Sequence, residues 1–158
     1  MLCIAPIPMT DDAPRRWIWL SIAAQAIGYV VDAFWHARLV GAEPATVTEM
    51  AHHLATVHLP LYIGAAGVLA STAVALEHRT RYAPAGVALP IALVGAALSA
   101  FAEAWHAIAH LGLDTRHAPL FGILSVAGFL TVIGATTALS RGPRRQRPAD
   151  ARGRRHAA

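Results

Sequence analysis

Carboxylates and histidines recur in this chain at helical spacing. Glu103, His106 and His110 are separated by three and then four residues, which places all three along one stripe of an α-helix. Asp32 and His36 are four apart, as are Glu49 and His53, so each pair shares a helix face. His58, Asp114 and His117 complete the set. Imidazole nitrogen and carboxylate oxygen together suit iron, zinc, manganese and Cu(II). Glu-x-x-His on facing helices is also how ferritin-like bundles hold paired metal ions. Without metal, the same groups would form a network of His–carboxylate hydrogen bonds.

Asp32, His36, His58, Glu103, His106, His110 and His117 are the expected metal ligands. Glu49, His53 and Asp114 are second candidates, either as further ligands or as groups that move protons or orient the ligating imidazoles. His52 reads as an interfacial residue, and His78 and His156 as ordinary solvated ones. Trp35 and Trp105 fit an aromatic belt at a membrane surface. The chain has one cysteine, Cys3, which argues against a soft thiolate store for Cu(I) and allows no internal disulfide. Iron or copper is the favoured metal, with zinc or manganese as alternatives. The ligands outnumber what one tetrahedral ion needs, which suits a dinuclear centre or one ion with neighbouring acid–base groups.

These polar residues sit in an apolar chain. Of its 158 residues 56% are hydrophobic and 14% are charged, with a mean hydropathy of +0.46. Four segments approach the roughly 20 apolar residues that a membrane span requires. They run from about Trp17 to Trp35, Pro60 to Leu76, Ala83 to Ala102 and Pro119 to Ser140. The third continues into the Glu103–His110 stripe. None shows the polar stripe of a soluble bundle helix over most of its length. The fold class expected is an all-α integral membrane protein, a bundle of four transmembrane helices over residues 17–140. Residues 1–16 form an N-terminal segment that makes a poor signal peptide, because no basic cluster precedes its apolar run.

All thirteen basic residues are arginine, and seven lie in the tail at 141–158. That Pro- and Arg-rich tail is expected to be disordered and to lie against anionic lipid rather than nucleic acid. With four spans, Arg15, Arg16, Arg79, Arg81 and the tail share one side, and only Arg38 and Arg116 lie on the other. Basic residues mark the cytoplasmic face, so both termini are expected inside a cell membrane and the histidines outside.

The two outward hairpins share a pattern. Trp35-His36-Ala37 parallels Trp105-His106-Ala107, and the HLPLY stretch at His58 parallels HAPLF at His117. Two tandem helix-hairpin repeats are expected, with Pro60 and Pro119 in the first turns of the returning helices. The first hairpin carries an insertion in which Thr46 and Glu49 form a capping box. A short interfacial helix over about residues 47–57 is therefore expected, lying at the membrane surface or folded over the bundle.

The reading these features favour is a membrane-embedded metal-dependent enzyme, a non-haem oxidoreductase acting on a small or lipid-soluble substrate. Metal-assisted hydrolysis would use the same ligands. A b-type haem protein is the first alternative, with paired histidines as axial ligands. A metal transporter or sensor is the second. Transport requires polar steps along the inner halves of the spans, and none is expected there.

Overall fold

The computed structural model describes residues 13–38, 44–82, 86–113 and 118–141. Among them are five helices: α1 (Ala13–Arg38), α2 (Val47–Thr56), α3 (Leu59–Tyr82), α4 (Ala88–Leu111) and α5 (Ala118–Arg141). All but α2 are long and apolar enough to cross a membrane. Asp114, His117, the N-terminal segment and the Arg-rich tail lie outside the described residues.

The distribution of polarity is the reverse of a soluble bundle. Val30, Val94, Ile123 and Phe101 point outward and are more than half exposed, whereas Gln25, Ser99, Glu103, Ser125 and Thr136 are buried. An apolar exterior over a polar interior is stable against lipid, where association depends on close packing and interhelical hydrogen bonds.

α1 pairs with α3 and α4 with α5, and the two hairpins meet mainly where α3 faces α4. Each hairpin closes on glycine. A methyl group at Gly64 would run into the Gln25 backbone, and one at Gly128 would come within 2.6 Å of the Ser99 amide nitrogen. Only a residue without Cβ allows backbones this near.

The bundle has two unlike ends. One is closed by an apolar core of Ile18, Ile22, Val68, Ala75, Leu89, Ala96, Phe129 and Val132. The other, where α1 and α4 end and α3 and α5 begin, carries the histidines. Pro60 lies in the first turn of α3 and Pro119 in that of α5, as their missing N–H groups allow.

α2 starts where the capping box places it. The Glu49 amide donates to Thr46 Oγ1 at 3.2 Å, while Glu49 Oε2 accepts from the amides of Thr46 and Ala45 at 3.2 and 3.0 Å. The helix buries Met50, His53 and Leu54 and packs on α4 and α3. That apolar face draws α2 over the end of the bundle, and His53 goes with it.

Candidate metal centre

Four elements converge at the histidine end. α1 contributes Asp32 and His36, one turn apart. α2 contributes His53, and α4 contributes His106 and His110. His58 lies in the short connection between α2 and α3, so its position depends on both. Its side chain is completely buried, whereas that of His36 is 40% exposed.

Two overlapping groups of donor atoms result. Asp32, His36, His53 and His58 each offer one atom within 4.8 Å of the others, and so do His58, His106 and His110. His58 belongs to both. In the first group His58 Nε2 is 3.1 Å from Asp32 Oδ1 and 3.2 Å from His53 Nε2, and His36 Nε2 is 3.4 Å from Asp32 Oδ1. In the second, His106 Nε2 and His110 Nε2 are 2.8 Å apart. Ligands held about 2.0–2.2 Å from one ion must themselves lie roughly 3–3.5 Å apart. Most of these separations fall in that range.

Hydrogen bonding alone does not satisfy the first group. Asp32 Oδ1 is buried, with His58 Nε2 at 3.1 Å and His36 Nε2 at 3.4 Å in ion-pair range, and among the described residues neither makes a well-aligned hydrogen bond to it. A single His58 Nε2 carries either a proton or a lone pair, so it cannot donate to Asp32 and also accept from His53. A cation among the four atoms would receive all their lone pairs at once. The donor set and its spacing therefore fit a transition-metal ion.

The surroundings hold the imidazoles in place. The Trp35 ring lies on His53 with centroids 4.0 Å apart, and Tyr62 stacks on His58 at 5.8 Å. Burial first, then His58 and His36, push the His53 imidazole from its ordinary 6.5 down to about 4. His53 is thus neutral and available as a ligand at physiological pH. Glu49 is fully exposed and engaged in the cap. The Ala45 amide first, then Thr46, hold its carboxyl below the ordinary range.

The structure sorts the sequence-derived candidates. It brings together Asp32, His36, His58, His106 and His110. His53, one of the second candidates from the sequence, joins the donor atoms directly. Glu103 belongs to neither donor group. It is buried one turn deeper, with Oε2 lacking a hydrogen-bond partner among the described residues. Asp114 and His117 lie outside the described residues.

Trp35 and Tyr62 as neighbours of the imidazoles were missed from the sequence. Aromatic type alone does not separate a membrane-belt residue from one stacked on a ligand. Also missed was a buried polar layer below the histidines. Gln25 Nε2 donates to Ser99 Oγ at 2.7 Å and to Tyr29 Oη at 3.2 Å, and the hydroxyls of Ser99 and Ser125 are 3.2 Å apart. Thr72 and Thr136 are buried further toward the other end. The Gln25–Ser99–Ser125 layer lies at mid-span or above, and in the inner halves, expected to offer no polar steps, Thr72 and Thr136 are the buried polar side chains among the described residues. Ser and Thr are small enough to leave a hydropathy average high while supplying hydrogen bonds inside the bundle.

No known protein family, curated protein or solved structure matches this chain. The fold and site define a class only: a four-helix, multi-pass membrane protein with a His/carboxylate group able to hold metal.

Proposed function

We propose that this chain is a membrane-embedded, metal-dependent enzyme of the non-haem type, working on a small or lipid-soluble substrate. The observation that carries this reading is the convergence of Asp32 with the imidazoles of His36, His53 and His58, one donor atom from each lying within 4.8 Å of the others. Asp32, His36, His53 and His58 would hold one ion. His106 and His110 would complete that site, or hold a second ion that His58 could share only as a bridging imidazolate. Bound there, iron or copper would supply redox chemistry, and zinc or manganese would polarise a substrate for hydrolysis.

The protein's own groups divide the remaining work. Trp35 and α2 cover the centre and limit water. Glu103, near the centre but outside both donor groups, is placed to hold or pass a proton. Tyr62 fixes the His58 ring by stacking. The arginine distribution supports a cell-membrane protein with both termini cytoplasmic and this centre on the outer side. The matched W-H-A and H-x-P-L patterns support an origin by duplication of one hairpin.

Two of the close histidine pairs do not suit a b-type haem. His53 and His58 have their Nε2 atoms 3.2 Å apart, with no room for a porphyrin between them. His106 and His110 project from consecutive turns of one helix and cannot approach an iron from opposite faces. Metal transport is the second reading, favoured by the Gln25–Ser99–Ser125 layer beneath the centre. That layer offers hydroxyls and an amide, weak ligands beside the imidazoles above it.

Elemental analysis of protein purified in detergent without chelators tests the proposal. One or two equivalents of a transition metal, without a Soret band, is the expected result. Absence of metal, together with no binding of added iron, copper, manganese or zinc, would overturn it. Metal uptake into proteoliposomes would move the assignment to transport.

A further inference from the structure

A cleft of about 330 Å³ opens on the outer surface of the bundle between α3 and α4. Its volume is within the roughly 300–1,000 Å³ range of small-molecule sites. The walls are largely alanine, including Ala66, Ala100, Ala104 and Ala107. They arise because this seam lacks the glycine contacts that close the α1–α3 and α4–α5 hairpins. The cleft faces the surface that lipid would cover, so its occupant arrives through the bilayer.

Two residues break the apolar lining. Glu103 is 3% exposed, and its Oε2 has no hydrogen-bond partner among the described residues. Tyr62 also lines the cleft, and its hydroxyl is buried without a hydrogen-bond partner among the described residues. Unpaired polar atoms in such surroundings are costly and rarely left so. A carboxylate accepts and a phenol donates, so one hydroxyl group could satisfy both at once. Tyr62 stacks on His58, and Glu103 lies one turn from His106. The inner end of the cleft therefore abuts the histidine centre.

A second cleft provides an internal comparison. It has a similar volume, about 310 Å³, and lies at the apolar end against Pro14, Trp17 and Val74. Ser21 and Ser71 also line it, but among the described residues no acid and no buried unpartnered polar atom does. If these clefts merely accommodated lipid chains, the two would behave alike.

We propose that the α3–α4 cleft binds a lipid-soluble molecule with a single hydroxyl head. The head pairs with Glu103 and Tyr62, and the apolar body lies along the alanines. Binding of this kind stands on the cleft alone. That the hydroxyl compound is the substrate of the metal centre rests on the function proposed above.

The test uses full-length protein in lipid nanodiscs and a diazirine-bearing octanol as photolabel. Labelled residues are located by mass spectrometry, and metal content is measured on the same preparation. Labelling should concentrate on the α3–α4 cleft, roughly tenfold above the Trp17 cleft, as expected for gaining a buried hydrogen bond. Octyl methyl ether, which cannot donate, should compete roughly tenfold more weakly than octanol. Ala104→Trp should fill the cleft and remove the label. Ala66→Trp does the same from the opposite wall should the first variant fail to fold.

Equal labelling of the two clefts, or equal competition by alcohol and ether, would overturn the proposal and leave a cleft for acyl chains. Selective labelling of a protein that binds no metal would retain this site and remove the metal centre. Bound metal with unselective labelling would do the opposite.

Discussion

The two ends of the bundle bury side chains of opposite character. At one end Ile18, Ile22, Val68 and Val132 are packed as an ordinary apolar core. At the other, His53, His58 and Glu103 are equally inaccessible, yet several of their polar atoms lack hydrogen-bond partners among the described residues. Packing explains the first end without further assumption. The second is costly as protein alone and becomes favourable once something cationic or hydrogen-bonding joins it. The difference separates the part that holds the bundle together from the part available for chemistry.

The largest expected effect separates the ends completely. His58 is shared by both donor groups, so His58→Ala should abolish metal binding at either, a loss of more than about 100-fold in affinity. Elemental analysis and metal titration check this, with His78→Ala as a variant of unchanged metal content. Unaltered metal in His58→Ala would break the comparison.

The reciprocal change is at the apolar end. Ile22→Ala should leave a cavity and lower stability by about 2–5 kcal/mol, while metal stoichiometry stays constant. Thermal or denaturant unfolding of the detergent-solubilised protein gives the stability, and metal content is read on the folded fraction. A fall in metal per folded molecule would show that the ends are coupled.

Smaller variants resolve the centre itself. His36→Ala touches only the first donor group and His110→Ala only the second. If each group holds an ion, either substitution should lower the stoichiometry from two to one. If one ion is shared, both should weaken the same binding event by roughly 10–100-fold. Metal counted per protein, with both variants side by side, decides between these arrangements.

Much of this was legible in the sequence. The four spans follow from apolar length, and α2 follows from Thr46 and Glu49 at capping-box spacing. The stripe of His106 and His110 follows from helical periodicity. What sequence spacing does not encode is depth. Glu103 shares the His106 stripe, yet sits a turn lower and outside the donor groups. His53 appeared peripheral because it belongs to an inserted helix, and only packing of Met50 and Leu54 carries it inward. The polar layer was hidden because Ser99 and Ser125 become partners only when α4 and α5 are brought together at Gly95 and Gly128.

Acid should loosen α2 before the rest of the bundle. The His53 imidazole in the folded protein titrates near 4, below its ordinary 6.5. Between those values the undocked form takes up a proton that the docked form refuses, so docking is favoured less as pH falls. In metal-free protein, protection of α2 amides from hydrogen exchange should be full above about 6.5 and should decline toward pH 4. The apolar end has no such group among its core residues and should keep its protection. Bound metal should shift the decline to lower pH, because protons and metal compete for the same nitrogen.

The smallest effect distinguishes two roles for α2. Thr46→Ala removes the hydroxyl that accepts from the Glu49 amide and should cost about 1 kcal/mol of local helix stability. Because α2 delivers His53, metal affinity should weaken several-fold, without loss of stoichiometry at saturating metal. Glu49→Gln keeps the side chain's shape but weakens its bonds to the Ala45 and Thr46 amides. If Glu49 acts only through the cap, the two variants should behave alike, with the same modest loss of affinity and near-normal turnover when saturated. If Glu49 moves protons, Glu49→Gln alone should lower turnover by roughly 10²–10⁴-fold with metal fully bound. The geometry favours the first outcome. Glu49 is fully exposed, with its carboxylate engaged by two backbone amides. A carboxylate so occupied would have to leave the cap to reach a substrate, and α2 would loosen as it did.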